Sequence, residues 1–569
     1  MSLNTVKRMN RKFGISTRAY YSLSQSFERL NISMMCRLIS ELKYFIGFIL
    51  FGASHLFWLE DVQAIPTVEL ICERAVSADM IEQPTLQIAI ISELRGYVEP
   101  CGCTIDLKLG SIERLAAQVK QLRSRAPTLV LSVGSLLFEH DTLKEHAQAQ
   151  EKAKASLIRR IWSHLHVDAH LPGRDDLAAG VQFSEQLRRD HPLTEVGLNP
   201  SALSSQGSAQ LFDVGGTRVG VIGLLPSEKM DEEDQLSELI KEATTDLKGR
   251  GATLVIALAS IDRALTRRLA ERHPEVELWA LGYQANEESS LSPVNSGGTD
   301  SSGSYIIEAG DRGRHLAILS VYHPERAEPL MDPEGERARE IKALELKIKM
   351  RSRFAMGGSN PLIARQLETL NAELSKLKQG ASTFRGKRVL YQLKPIQADL
   401  SVDQEIEGWV KRYQASLKEL NMSQASQVKP PPPNGNGYAG QAECELCHEA
   451  AVQFWRTTRH SHAWQTLEKS DKTFDVECVS CHVTGWQEAG GSALGHTDRL
   501  QNVQCEACHG PASKHAEMGG GEAYVKRAVP SSQCERCHNQ LHSPRFDYAT
   551  YRQKVIGPGH GAPLPENQE

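Results

Sequence analysis

The sequence predicts a multidomain chain: an α/β layered N-terminal domain, a helical hairpin, and a C-terminal region that is mostly α-helical or irregular. Three observations predict it. Short β-rich apolar runs alternate with amphipathic stretches over residues 85–325. Leucines and isoleucines at 3/4 spacing then flank a Gly/Pro turn within 333–425. Beyond a proline run, the last quarter of the chain holds eight of the 12 cysteines and 10 of the 20 histidines. At ~150 residues per domain, a chain of this length has room for two to four domains with ample core. A composition 40% hydrophobic and 24% charged is that of an ordinary globular protein. A net charge of −5 gives no reason to expect nucleic acid or an acidic membrane as a partner.

The chain opens with an export signal. Tyr44 to Trp58 form a 15-residue apolar run, shorter than the ~20 residues that span a bilayer. Arg37 and Lys43 precede it, and Val62-Gln63-Ala64 follows with the small residues of a cleavage site. Residues 1–64 therefore read as a signal peptide or membrane anchor, with cleavage near Ala64 preferred and a periplasmic destination implied. An uncleaved anchor is the one membrane contact this reading allows. Strands follow at Leu86–Ile91, Thr128–Ser132, Arg218–Leu224, Thr253–Ala259, Glu277–Leu281 and Leu316–Val321, each a β-rich run bounded by turn or polar residues. Ile112, Leu115, Ala116, Val119 and Leu122 recur at helical spacing between the first two.

Over 333–425, Ile341, Leu344 and Ile348, then Leu367, Leu370, Leu374 and Leu377, lie on either side of Met356-Gly357-Gly358-Ser359-Asn360-Pro361. This predicts a helical hairpin that packs on itself. Residues 426–437, with Pro430 to Pro433 followed by Asn434-Gly435-Asn436-Gly437, read as a stiff-then-flexible linker. Residues 438–569 form the last domain.

Within that domain Cys-x-x-Cys-His occurs four times: Cys444/Cys447/His448, Cys478/Cys481/His482, Cys505/Cys508/His509 and Cys534/Cys537/His538. Two cysteines three apart can form thioethers to the vinyl groups of one haem, and the next histidine reaches the iron. Zinc ribbons also use paired Cys-x-x-Cys elements, but zinc does not explain a histidine after every pair. The pattern points to four c-type haems. Met518 is the sole methionine of the region, so a row of His/Met haems is excluded. His460, His462, His496, His515, His542 and His560 lie outside the motifs, enough for bis-histidine ligation and low potentials. His460 and His462 compete for one role. With so little chain per cofactor, folding of this domain is coupled to haem attachment, and closely packed haems make a conducting chain.

The stretches YAGQAECELCH, WRTTRHSHAWQTL, DVECVSCHVTGW, LGHTDRLQNVQCEACHGPASKH and SQCERCHNQLHS, in that order from Tyr438 onward, resemble the tetrahaem cytochrome c family of nitrifying bacteria. The resemblance implies electron transfer between redox protein partners through mainly bis-histidine haems, with room for one five-coordinate iron. It favours His460 over His462 and makes His496, His515 and His542 distal ligands.

Residues 86–321 resemble, more weakly, the metallophosphatase domain of periplasmic 5′-nucleotidases, in the order of their strand–loop motifs. Such enzymes hold two metal ions on Asp, His and Asn at strand ends. Those positions read Glu93-Leu94-Arg95, Gly134-Ser135, Gly173-Arg174-Asp175-Asp176, Ala259-Ser260 and Gly282-Tyr283-Gln284-Ala285. No second metal is expected there, and the domain reads as a docking or thiol-redox module. Cys101-Gly102-Cys103 follows the first strand, at the sheet edge where α/β folds place their sites. Setting aside the motif cysteines and Cys36, Cys72, Cys101 and Cys103 remain, an odd number. In an oxidising compartment that leaves either a Cys72 disulfide with one buried thiol, or a redox site at Cys101 and Cys103. Exported relatives of this degenerate domain share the Pro-Cys-Gly-Cys loop, which favours the redox role.

Two other functions compete with an electron carrier: an oxidoreductase acting on a small nitrogen or sulfur compound at an open haem, and a metal-dependent phosphoesterase.

Overall fold

The computed structural model describes residues 82–560 except 101–108, 199–208, 226–231, 283–303, 356–360, 380–383, 424–428, 432–434, 522–523 and 540–541. The signal or anchor segment, Cys72, and Cys101 with Cys103 lie outside the described residues. In chain order the strands are β1 (Leu86–Ser92), β2 (Thr128–Gly134), β3 (Ala169–Pro172), β4 (Ala209–Val214), β5 (Thr217–Leu224), β6 (Leu254–Ala259), β7 (Leu278–Leu281), β8 (Tyr305–Glu308), β9 (His315–Tyr322) and β10 (Arg388–Pro395). The helices of this part are α1 (Ile112–Arg123), α2 (Gln148–His164), α3 (Val181–Asp190), α4 (Glu232–Gly249), α5 (Arg263–Arg272), α6 (Pro333–Ala355), α7 (Pro361–Gln379) and α8 (Gln404–Ser423). None of the helices in the described residues is long and apolar enough to cross a membrane.

The strands form two five-stranded sheets, ordered β10-β9-β1-β2-β3 and β4-β5-β6-β7-β8. Alternation along each strand decides the layering, because successive side chains point to opposite faces. Leu86, Ile88 and Ile90 of β1 enter a core shared with Val219, Val221, Ile256 and Leu258 of the second sheet. Ala89 and Ile91 enter another, with Leu115 and Val119 of α1 and Ile158 and Trp162 of α2. Behind the second sheet, Ile222, Val255 and Ala257 meet Ile240 and Leu247 of α4 and Leu269 of α5. The result is helix, sheet, sheet, helix, with central strands buried on both faces, which is why they read as near-continuous apolar runs. Gly215 and Gly216, at φ 60° and 85°, close the two-residue turn between β4 and β5, a geometry that needs positive φ twice.

Segment 333–425 contains the hairpin α6–α7 but is not helical throughout. β10 pairs antiparallel with β9 along its whole length, with Val389 buried in the inter-sheet core and Tyr391 and Leu393 packed against it. α8 then returns across the first sheet's outer face, burying Ile406, Trp409 and Val410 with α1 and α2. The α/β domain is thus completed by chain from beyond the hairpin.

The C-terminal region packs directly on this domain. Gln150 of α2 donates to Asp475 at 2.6 Å and accepts from Asn421 of α8 at 2.7 Å. Lys154 contacts Glu477 and pairs with Glu151 at 3.3 Å, and Lys472 pairs with Glu99 at 2.7 Å. The described part of the proline run is held too. The carbonyl of Lys429 accepts from the Gly490 amide at 2.6 Å, and Asn436 accepts from the Lys514 amide at 2.8 Å.

Candidate functional site

Each Cys-x-x-Cys-His motif lies on or just past a helix. These are α9 (Gln441–Trp455), α11 (Val476–His482), α12 (Cys505–His509) and α14 (Ser531–Glu535); α10 (Ala463–Lys469) and α13 (Ser513–Glu517) stand between them. On a helix, residues three apart share a face, so each motif presents two thiols side by side with an imidazole at the end of the turn. α9 kinks at His448, whose φ and ψ are −117° and 40°. Among the eight motif cysteines Cys447 is exposed and the others are half-buried. The motifs also approach one another: the thiols of Cys444 and Cys505 lie close enough to shift each other's titration, as do those of Cys481 and Cys537.

The imidazoles converge in two pairs. The His448 and His515 rings lie 6.1 Å apart between centres and nearly parallel, at 16°. The His460 and His538 rings are also 6.1 Å apart, tilted by 45°. Two imidazoles on opposite sides of one metal, each nitrogen about 2 Å from it and the ring centre about 1 Å beyond, stand roughly 6 Å apart. The residues therefore fit a bis-imidazole iron. Burial lowers the pKa of both His460 and His538, His460 further by its proximity to His538, and neutral imidazole is the ligating form.

The other ring nitrogens are held in place. Nδ1 of His482 meets the Ala463 carbonyl at 2.6 Å, that of His509 the Lys526 carbonyl at 2.6 Å, and that of His515 the Gly521 carbonyl at 3.0 Å. His538 Nδ1 lies 3.2 Å from Ser543 Oγ. A hydrogen bond from Nδ1–H leaves Nε2 as the metal-binding atom and sets the ring orientation. Among the described residues no such imidazole pair involves His482 or His509. His496 is exposed in a tight turn with Ala493, His462 is exposed, and His542 lies close enough to Cys481 to act on it electrostatically.

Sequence reasoning missed the supports. Glu506, between the two cysteines of the third motif, is 2% exposed and accepts from the amides of Ala439, Gly440 and Ala512, each at 2.8 Å. It ties the start of α9 to α12. The signal was present, an acidic residue inside a motif bound for burial, but its acceptor role depends on backbone brought from elsewhere. The carbonyls that orient the histidines leave no mark in the sequence at all.

At the C-terminal edge of the first sheet, the first three of the loops expected to have lost metal ligands come together, while Tyr283, Gln284 and Ala285 lie outside the described residues. Arg95 Nε donates to Glu93 at 2.8 Å, both side chains being buried. The Ser135 amide donates to Glu93 at 3.3 Å, and Ser135 Oγ donates to Asp175 at 3.0 Å. Asp176 accepts from the amides of Leu136, Leu137 and Gly173 at 2.7–3.0 Å. Burial pushes Glu93 up to about 8 against the pull of Arg95. Glu93 and Arg95 both hold positive φ, 46° and 53°, a conformation uncommon outside glycine and found at built sites. A Cβ on Gly134 would stand 1.8 Å from the Glu93 carboxyl. The cation at this edge is a guanidinium of the chain itself.

Cysteine pairs on helical turns, each followed by a histidine whose ring is held at Nδ1 in His482, His509 and His538, are what attachment of c-type haem requires. Residues 443–510 match the family Cytochrome c554 and c-prime. Cytochrome c-554 of Nitrosomonas europaea is 33% identical over 148 residues, which cover 22% of this chain and 63% of that protein, so the chain spans less than two thirds of this relative. The α/β part is similar to solved structures at low identity. A calcineurin-like phosphoesterase of Bacillus subtilis matches at 14% identity and TM-score 0.38, over 60% of this chain and 99% of that one. A 5′-nucleotidase precursor of Thermus thermophilus matches at 15% identity and TM-score 0.39, over 61% of each. The chain thus joins a region similar to cytochrome c554 to an α/β region similar to 5′-nucleotidases.

Proposed function

We propose that this protein carries electrons through four c-type haems between redox protein partners in the periplasm, with the α/β domain as a docking platform. The observation that carries the reading is the pair of imidazole couples at 6.1 Å, His448 with His515 and His460 with His538. The eight motif cysteines would hold the haems as thioethers, with His448, His482, His509 and His538 as proximal ligands. His515 and His460 would take the opposite faces of the first and fourth. His496 and His542 are the remaining distal candidates from the sequence. Bound haem supplies one-electron exchange at iron. The chain's part is to keep the imidazoles neutral, aim Nε2 of His482, His509 and His515 through carbonyl acceptors at Nδ1, and hold the motifs near one another so that neighbouring centres lie close.

A second reading has an observation in its favour. Neither His482 nor His509 has a facing imidazole among the described residues, so the iron of the second or third motif would keep an open face, and there an oxidoreductase acting on a small nitrogen or sulfur compound would work. The visible spectrum of the dithionite-reduced holoprotein, with and without carbon monoxide, separates the two. An α-band unchanged by carbon monoxide means a pure carrier; a Soret shift in part of the haem means an open iron. Absence of a c-type α-band would overturn both.

At the α/β domain, the internal Glu93–Arg95 pair supports a non-hydrolytic role. Nucleotide hydrolysis by the holoprotein with added divalent metal would overturn that. A thiol-redox role for Cys101 and Cys103 rests on the sequence; the Glu99–Lys472 ion pair supports it by bringing the chain just before Cys101 to the haem region.

A further inference from the structure

Helix α6 is apolar on two opposite sides. Ile341, Leu344 and Ile348 line one, and Leu344 is 4% exposed. At about 100° per residue, Leu346 and Met350 emerge on the other side, 58% and 55% exposed. Leu362, near the start of α7, is 69% exposed. Single exposed apolar residues are ordinary, but these three cluster toward one end of one hairpin. On the α6 wheel, Lys349 and Arg353 flank the Leu346–Met350 stripe on one side and Lys347 on the other, while Arg351 lies on the Leu344 side; all four are exposed. Arg365 on α7 is a fifth exposed cation. From residue 346 to residue 367 the sequence has no Asp or Glu. Arg351 contacts the neutral Gln366, whereas Lys378 pairs with Glu345 at 2.7 Å farther from the turn. Among the described residues none of the five cations has an acidic partner.

We propose that the turn end of the α6–α7 hairpin docks on an anionic phospholipid surface. Leu346, Met350 and Leu362 enter the boundary between headgroups and acyl chains, and Lys347, Lys349, Arg353 and Arg365 lie against lipid phosphates. Apolar side chains beside lysine and arginine supply the two things an interfacial contact uses, apolar depth and positive charge, and the long cationic side chains can lie along apolar surface while their charges reach the headgroups. A second copy fits worse. It would bring two sets of five like charges together, and three side chains fall well short of the roughly 1,200 Å² of a stable interface. A lipid surface asks only for apolar depth and negative charge.

The test uses the full-chain holoprotein in sedimentation with vesicles of phosphatidylglycerol and phosphatidylcholine in equal parts, against phosphatidylcholine alone. Because an uncleaved Tyr44–Trp58 would bind lipid unaided, the readout is the phosphatidylglycerol-dependent part of binding. At about fivefold per lysine near the surface, K347Q/K349Q weakens that part on the order of 25-fold. L346S/M350S weakens it too, K347R/K349R restores it, and haem absorption is the same in all. Binding that ignores phosphatidylglycerol, or is unchanged by L346S/M350S, overturns the proposal. So does a dimer in sedimentation velocity that L346S/M350S converts to monomer, which would assign the face to a second copy.

Discussion

Glu93 is a carboxyl buried against backbone that leaves no room for a side chain at Gly134, and its pKa of about 8 lies above the ordinary carboxylate value. Between those two values the folded chain holds a proton that the unfolded chain has released. Stability therefore falls as pH rises through that window. Glu93→Gln, which keeps the shape and stays neutral, should flatten this dependence; denaturant midpoints measured across that pH range for both proteins check it. Among the histidines, the proposed ligation separates His515 from His462. His515→Ala should add one carbon monoxide-reactive haem to whatever the wild type shows, whereas His462→Ala should leave the reduced spectrum unchanged. At this scale the attachment residues were legible, because covalent chemistry needs a set spacing along the chain. The partners of those residues were not, since a 6.1 Å approach between His460 and His538 is a fact of folding.

Among elements, the strands that sequence analysis found are those buried on both faces, such as β1, β5 and β6, whose apolar runs stand out. β10 was missed because only every second residue, Val389, Tyr391 and Leu393, faces the inter-sheet core, and the helices on either side dominate the pattern. β4 was missed although Gly215-Gly216 marks its turn. Gly215→Val should cost about 1–3 kcal/mol, since φ is 60° and a Cβ there would stand 2.6 Å from Pro127; chemical denaturation measures it. The contact between α2 and α11 rests on Lys154, 9% exposed between Glu151 and Glu477. Lys154→Met leaves two carboxylates facing each other. Loss of a fully buried partner costs about 3–5 kcal/mol, and because Glu477 is 43% exposed solvent should reduce this to about 1–2 kcal/mol. The change should appear as faster proteolytic separation of the C-terminal region.

Over the whole molecule the two halves differ in what holds them. The α/β domain has three large apolar cores. The described C-terminal region has one buried cluster of six residues, Trp464, Leu467, Val476, Val479, Val483 and Leu494, with Ala147 of the α/β domain packed against it. So small a core cannot offset the chain entropy of a domain that size. Chain produced without haem attachment should therefore lose residues 438–560 to protease while 85–423, which includes β10 and α8, persists, read by mass spectrometry of the fragments. A net charge of −5 likewise says nothing of how charge is spread: that Leu346 and Met350 share one exposed side with cations beside them appears only when the helix is laid out.

The sequence by itself determined the haem chemistry, the α/β class of the N-terminal half and the helical hairpin, because each rests on a local period: a step of three positions from thiol to thiol, two along a strand, 3.6 along a helix. Tertiary structure alone decided which imidazoles face each other, that β10 completes a sheet begun some 300 residues earlier, and that Arg95 is the cation at that sheet's edge. Those depend on groups far apart in the chain meeting at short range, and no local pattern encodes a distance across a fold.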